Sequence, residues 1–161
     1  MTDHLIEIIF KEIPKEKIGS LLMDLISQGQ GIVSYNITFD CSEIDWNIET
    51  IRKVFAENEC FGLFINLKKL KTGEVDLPNC GLAVYKYEKN VDLEINFQLS
   101  DLEDVPLKNL GENLMEFAKA IADQYQIDQY LCGIEPAHDL QTRLFTNEKL
   151  GPFFFEDKKN D

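Results

Sequence analysis

The stretch Leu82-Ala83-Val84-Tyr85-Lys86-Tyr87-Glu88-Lys89-Asn90-Val91-Asp92-Leu93-Glu94-Ile95-Asn96-Phe97-Gln98-Leu99 decides the architecture. Val91, Leu93, Ile95 and Phe97 alternate with Asp92, Glu94, Asn96 and Gln98, the period-two pattern of a strand with one apolar and one polar side. Leu82–Tyr87 reads as the preceding strand. The short connection at Glu88-Lys89-Asn90 favours an antiparallel hairpin between the two.

Toward the C-terminus the period changes. Leu107, Leu110, Leu114, Phe117, Ala118, Ile121, Ala122 and Tyr125 fall on one side of a helix predicted over about Val105–Tyr125, with Lys108, Glu112, Glu116, Lys119 and Asp123 on the other. A strand is predicted over Ile127–Ile134, followed by a mostly irregular tail that closes with Phe153-Phe154-Phe155. Toward the N-terminus, Phe61, Leu63, Ile65 and Leu67 form a strand with Phe64 on its opposite side, where a second covering layer is expected. Lys71-Thr72-Gly73 and Leu77-Pro78-Asn79 read as loop. A helix over Asn47–Asn58, capped by Asn47, carries Ile48, Ile51, Val54 and Phe55 as its apolar stripe. Val33, Tyr35, Ile37 and Phe39 predict a strand. Ile18, Leu21, Leu22, Leu25 and Ile26 predict a helix begun near Pro14 and stopped near Gly29 or Gly31. Residues 4–11, with His4, Ile6, Ile8 and Phe10 opposite Glu7 and Lys11, predict a half-buried strand.

Sequential hairpins mixed with helices point to an α+β fold, a single-layer, mostly antiparallel or mixed β-sheet packed by two or three helices. Residues 1–156 are expected to form a single domain, with 157–161 as a solvated C-terminal tail. At 161 residues the chain can bury a sizeable core, and 44% hydrophobic residues supply it, which argues against intrinsic disorder.

The charge is strongly one-sided. Twenty-nine acidic residues face 16 basic ones, a net −13, and residues 91–139 hold 11 acids against 2 bases. Phosphate recognition needs clustered Lys and Arg, so nucleic acid is excluded as a partner. On the predicted long helix, Lys108 with Glu112 and Lys119 with Asp123 stand at ion-pair spacing. No basic residue lies between Asp92 and Asp104, so this strand and loop are free to attract a basic protein partner.

Motifs for chemistry are sparse. No Gly-rich phosphate loop, HxxxH, CxxC or calcium loop occurs, so no catalytic residue, cofactor or metal ligand is assigned. The cysteines at 41, 60, 80 and 132 read as reduced thiols, with Cys60 and Cys80 possible cross-strand neighbours. Trp46 and the Phe61/Phe64 pair read as core. Glu135, His138, Asp139 and Arg143 form the densest polar cluster. A pocket there would suit a small enzyme or ligand-binding domain, but Asp139 before Thr142 also fits a local cap. The acidic N-terminus lacks the basic region of a secretory signal, and no apolar run nears the ~20 residues of a membrane span. A cytoplasmic location without membrane contact is expected.

One segment carries a resemblance. Tyr130-Leu131-Cys132-Gly133-Ile134-Glu135-Pro136-Ala137, Asp139, Thr142-Arg143-Leu144-Phe145-Thr146 and Gly151-Pro152 resemble the C-terminal part of bacterial immunity proteins of polymorphic toxin and contact-dependent inhibition systems. The resemblance implies a non-enzymatic inhibitor of a cognate toxin domain and brings no catalytic residues. The toxin expected is basic and acts in the cytosol, as a nuclease does. The contact surface expected is Asp92, Glu94, Asp101, Glu103 and Asp104, with Asp128, Glu135 and Asp139 at its margin. The competing roles are the small enzyme above and a subunit of a larger assembly docked through Phe153–Phe155.

Overall fold

The computed structural model describes residues 4–28, 31–38 and 46–152. The elements are β1 (Leu5–Pro14), α1 (Lys15–Gln28), β2 (Ile32–Ile37), α2 (Ile48–Glu57), β3 (Cys60–Lys71), β4 (Asp76–Tyr87), β5 (Asn90–Gln98), a 3-10 turn (Leu99–Leu102), α3 (Leu107–Tyr125), β6 (Gln129–Ile134) and β7 (Arg143–Thr146). The seven strands form one sheet in the order β2-β3-β4-β5-β1-β6-β7, and every pairing is antiparallel. This is the α+β architecture expected from the sequence.

The decisive hairpin forms as anticipated. Tyr87 pairs with Asn90, and Glu88 takes a left-handed φ of 55° in the turn. One side of the sheet carries Ile8, Phe10, Leu63, Ile65, Leu82, Val84, Leu93, Ile95 and Phe97, all buried in one cluster with residues of the three helices. Helix α2 begins where Asn47 Oδ1 accepts the Thr50 amide at 2.9 Å. Its far end is held by the buried Lys86, whose Nζ donates to the carbonyls of Phe55 and Asn58. A lysine thus stands at an apolar position of β4, with its charge directed to the carbonyl end of a helix.

Several expectations are corrected. β1 is central and buried on both sides, with Glu7 at 7% and Ile9 at 4% exposure, because Ala137 from the segment after β6 packs against Ile9 and Leu131. Pro14 closes β1 and α1 starts after it. β4 begins at Asp76, so Pro78 and Asn79 are strand rather than loop. Proline is tolerated there because β5 pairs with β4 only from Gly81 onward, leaving that edge free. A register shift between Ile32 and Ser34 turns Val33 out to 69% exposure, while Tyr35 and Ile37 keep to the core side. The tail expected to be irregular contains β7. Phe64 is 36% exposed with no second layer of described residues over it, whereas Trp46 and Phe61 do pack against or within the core. Cys60 lies opposite Tyr87 and Cys80 opposite Leu67, so these two cysteines are not neighbours. Cys60 is exposed; Cys80 and Cys132 are buried, and burial pushes the Cys80 thiol up to about 12. Phe39, Cys41, Phe153–Phe155 and the 157–161 tail lie outside the described residues.

Candidate partner-binding surface

The helices cover one side of the sheet; the other side has two zones. Across β1 and β6 the segment after β6 folds over the strands. The Ala137 amide donates to Glu7 Oε2 at 3.1 Å, and the Glu135 amide to the Leu5 carbonyl at 2.8 Å. Across β3, β4 and β5 no other described segment folds over the strand surface, and Phe64, Tyr85 and Tyr87 are partly exposed there. Strand alternation puts Phe64 and Asn66 of β3, Gly81, Ala83, Tyr85 and Tyr87 of β4, and Asp92, Glu94, Asn96 and Gln98 of β5 on this side. Phe64 and Tyr85 make a T-shaped ring pair, centroids 5.7 Å apart and planes at 79°. Tyr87 is 41% exposed beside them.

Asp92 and Glu94 sit two residues apart on this side yet have different surroundings. Asp92 Oδ1 accepts the Tyr87 hydroxyl and the Glu12 amide, both at 2.9 Å. Glu12 is the left-handed residue (φ 54°) of the β1 bulge, so Asp92 satisfies a backbone donor that the irregular ladder leaves over. Glu94 lies between Ala83 and Ile9, neither of which has a side chain to hydrogen-bond it. Burial, then the charges of Glu7, Glu135 and Asp92, push the Glu94 carboxyl up to about 7. Tyr85 is raised by burial and then by Glu94 and Glu7, which places its hydroxyl in the same negative field.

Of the eight acids expected from the sequence, the structure groups Asp92, Glu94 and Glu135. Asp101, Glu103 and Asp104 are exposed in the 3-10 turn and the residues after it, past the Gln98 end of β5. Asp128 is exposed just before β6, at the opposite end of the sheet, where Gln129 pairs with Lys11. Asp139 is exposed in the loop before β7, its Oδ1 accepting the Gln141 amide at 3.4 Å. Sequence reasoning missed Phe64, Tyr85 and Tyr87 as members of this surface. The alternation of Tyr85 and Tyr87 with Val84 and Lys86 was the available signal.

Within the Glu135–Arg143 cluster, Asp139 and Arg143 bond to their own loop, while the buried Arg143 Nε has no hydrogen-bond partner among the described residues. Arg143 Nη2 donates to the His138 carbonyl at 3.1 Å, and His138 is exposed. Among the described residues no group of three or more His, Cys, Asp or Glu side chains is arranged to hold a metal ion. No described helix is long and apolar enough to cross a membrane.

A model of the PABL017 Cdi1I immunity protein family matches residues 4–150. The chain belongs to the Cdi1I immunity protein family. The match takes in nearly all of the segment at 130–152 in which the resemblance to immunity proteins lies, and it makes this family member a non-enzymatic inhibitor rather than an enzyme. The Cdi1I-family chain is also similar to a chain in the crystal structure of the toxic C-terminal tip of CdiA from Pseudomonas aeruginosa in complex with immune protein. The two share 26% identity at a TM-score of 0.78, over 94% of this chain and 99% of that one. No curated protein matches the sequence.

Proposed function

We propose that this immunity protein binds the toxic C-terminal tip of a cognate CdiA-type protein and neutralises it in the cytoplasm. The carrying observation is the likeness over nearly the whole chain to a component of a CdiA toxic tip–immune protein complex. Residues 1–156 act as one unit in this role. The toxin meets the uncovered side of β3, β4 and β5, where Glu94, Asp92 and Glu135 supply negative charge and Phe64, Tyr85 and Tyr87 supply aromatic area. Aromatic residues in such a setting are typical interface anchors.

The partner this surface fits is basic. A toxin that acts on nucleic acid, as a nuclease does, carries cationic groups around its active site, and an acidic sheet side can occupy them in place of phosphate. Asp101, Glu103, Asp104, Asp128 and Asp139 stand outside the contact and add to the long-range field. Such fields can bring association toward about 10⁸ M⁻¹s⁻¹ at low salt. The test is co-expression with a candidate cognate CdiA-type toxin tip, together with a binding measurement on the purified pair. Growth should be rescued and a complex should form whose association slows as salt rises. Growth arrest despite full expression of the folded chain would refute the assignment.

A further inference from the structure

We propose that Glu94, Phe64 and Tyr85 form a receptor for one cationic side chain, an arginine or lysine presented by the toxin. The proposal rests on the toxin-binding role above and names the chemistry at its centre. The first ground is the contrast with Asp92. That carboxylate is engaged by the Tyr87 hydroxyl and the Glu12 amide, whereas among the described residues no hydrogen bond or ion pair holds Glu94. Its charged neighbours on β1, β5 and the segment after β6 are Glu7, Asp92 and Glu135, all negative. Lys11, the cation on this side of β1, stands one cross-strand step further along, opposite Gln129 of β6.

The second ground is the ring pair, which is independent of the carboxylates. Phe64 and Tyr85 are 36% and 37% exposed and meet edge to face at 5.7 Å, so one ring presents its π-face beside the other's edge. A cation within ~6 Å of such a face is attracted by the ring quadrupole. The third ground is the floor. Ala83 lies opposite both Phe64 and Glu94. A Cβ added at Gly62 would come within 3.2 Å of the Phe64 ring, and one at Gly81 within 2.5 Å of Asn96 Oδ1. The ring and the amide therefore lie down over glycines, and Ala83, opposite both Phe64 and Glu94, is itself buried at 5% exposure. One negative group, two partly exposed rings and a small-residue floor match a guanidinium or ammonium on an apolar stem. An anionic or purely apolar segment would leave the carboxylate unanswered.

The experiment is a double-mutant cycle on the purified complex. Glu94→Gln, Phe64→Leu and Tyr85→Leu in this chain are crossed with Arg→Met and Lys→Met substitutions in the toxin tip. Thermal melts establish that each variant is folded. Glu94→Gln should raise Kd by about tenfold or more, mainly through faster dissociation, and each ring substitution by about threefold to tenfold. One toxin cation should couple to Glu94, so that its substitution loses little further affinity once Glu94 is already Gln. If the wild-type pair binds but Glu94→Gln stays within about twofold of it, or no toxin cation couples, the receptor is refuted and the immunity role stands. If the wild-type pair does not bind, the immunity role falls and the receptor with it.

Discussion

Val91, Leu93, Ile95 and Phe97 on one side of β5 are at most 1% exposed beneath the helices, whereas Asp92, Glu94, Asn96 and Gln98 on the other side have no helix over them. The same nine-residue strand therefore serves two purposes separated by a single side-chain step. Folding energy is concentrated on the aliphatic side, where burial at roughly 25 cal/mol per Å² applies to nearly every residue. The polar side contributes little to that and is left free to hold charge in an unfavourable arrangement. A crowded carboxylate such as Glu94 is tolerable because the fold does not depend on it.

The largest effect expected from breaking this contrast is on the aliphatic side. Phe97→Ala should destabilise the protein by about 3–5 kcal/mol in chemical denaturation, with Asn96→Ala next to it changing stability by well under 1 kcal/mol. Comparable losses at both positions would mean that the polar side also carries the fold. Next is Lys86, a cation placed on the aliphatic side. Lys86→Met should leave the Phe55 and Asn58 carbonyls short of a donor and cost about 1–3 kcal/mol. A Met variant as stable as wild type would show that water replaces the ammonium.

A smaller effect distinguishes the polar side by its sign. Glu94 titrates near 7 in the folded chain against an ordinary 4.5, because of burial and then Glu7, Glu135 and Asp92. A raised carboxylate favours its protonated form in the folded state. Its contribution to stability is therefore present below pH 4.5 and lost as pH rises through about 7. Glu94→Gln should be more stable than wild type at pH 8, with the difference narrowing as pH falls through about 7 and gone below 4.5. A pH-independent difference between the two would contradict the crowding. Smallest is the effect of the outlying acids. Reversing Asp101, Glu103 and Asp104 to Lys should slow association with the toxin tip severalfold at low salt and leave dissociation unchanged, the difference fading at high salt. A change in dissociation would put those residues in the contact.

The fold was legible where one period dominated. β5, α3 and the α2 cap at Asn47 follow directly from alternation, helical spacing and a side-chain acceptor. It was illegible where tertiary contacts overrode local pattern. β1 reads as half-buried because the partner that covers Glu7 and Ile9 is Ala137, about 130 residues away. Pro78 and Asn79 look like a turn because sequence does not reveal that β5 stops short of them. Val33 is displaced by a register shift, and nothing at Ile32–Ser34 announces it. The site was half legible for a related reason. Charge counting finds Asp92 and Glu94 but treats them alike, and cannot see that a bulge at Glu12 engages one and leaves the other. Nor does it show that Asp101, Glu103 and Asp104 stand in and after a turn past the end of β5. Aromatic residues escaped it altogether, since Phe64 and Tyr85 have the same residue types as the core.

The central claim is that the toxin meets the side of the sheet that the helices leave bare. A photocrosslinking amino acid placed at Tyr85 on that side, or at Lys119 on the exposed side of α3, tests it in the intact complex. Efficient crosslinking to the toxin tip from position 85 and none from position 119 is the predicted result; crosslinking from 119 and not from 85 would contradict it.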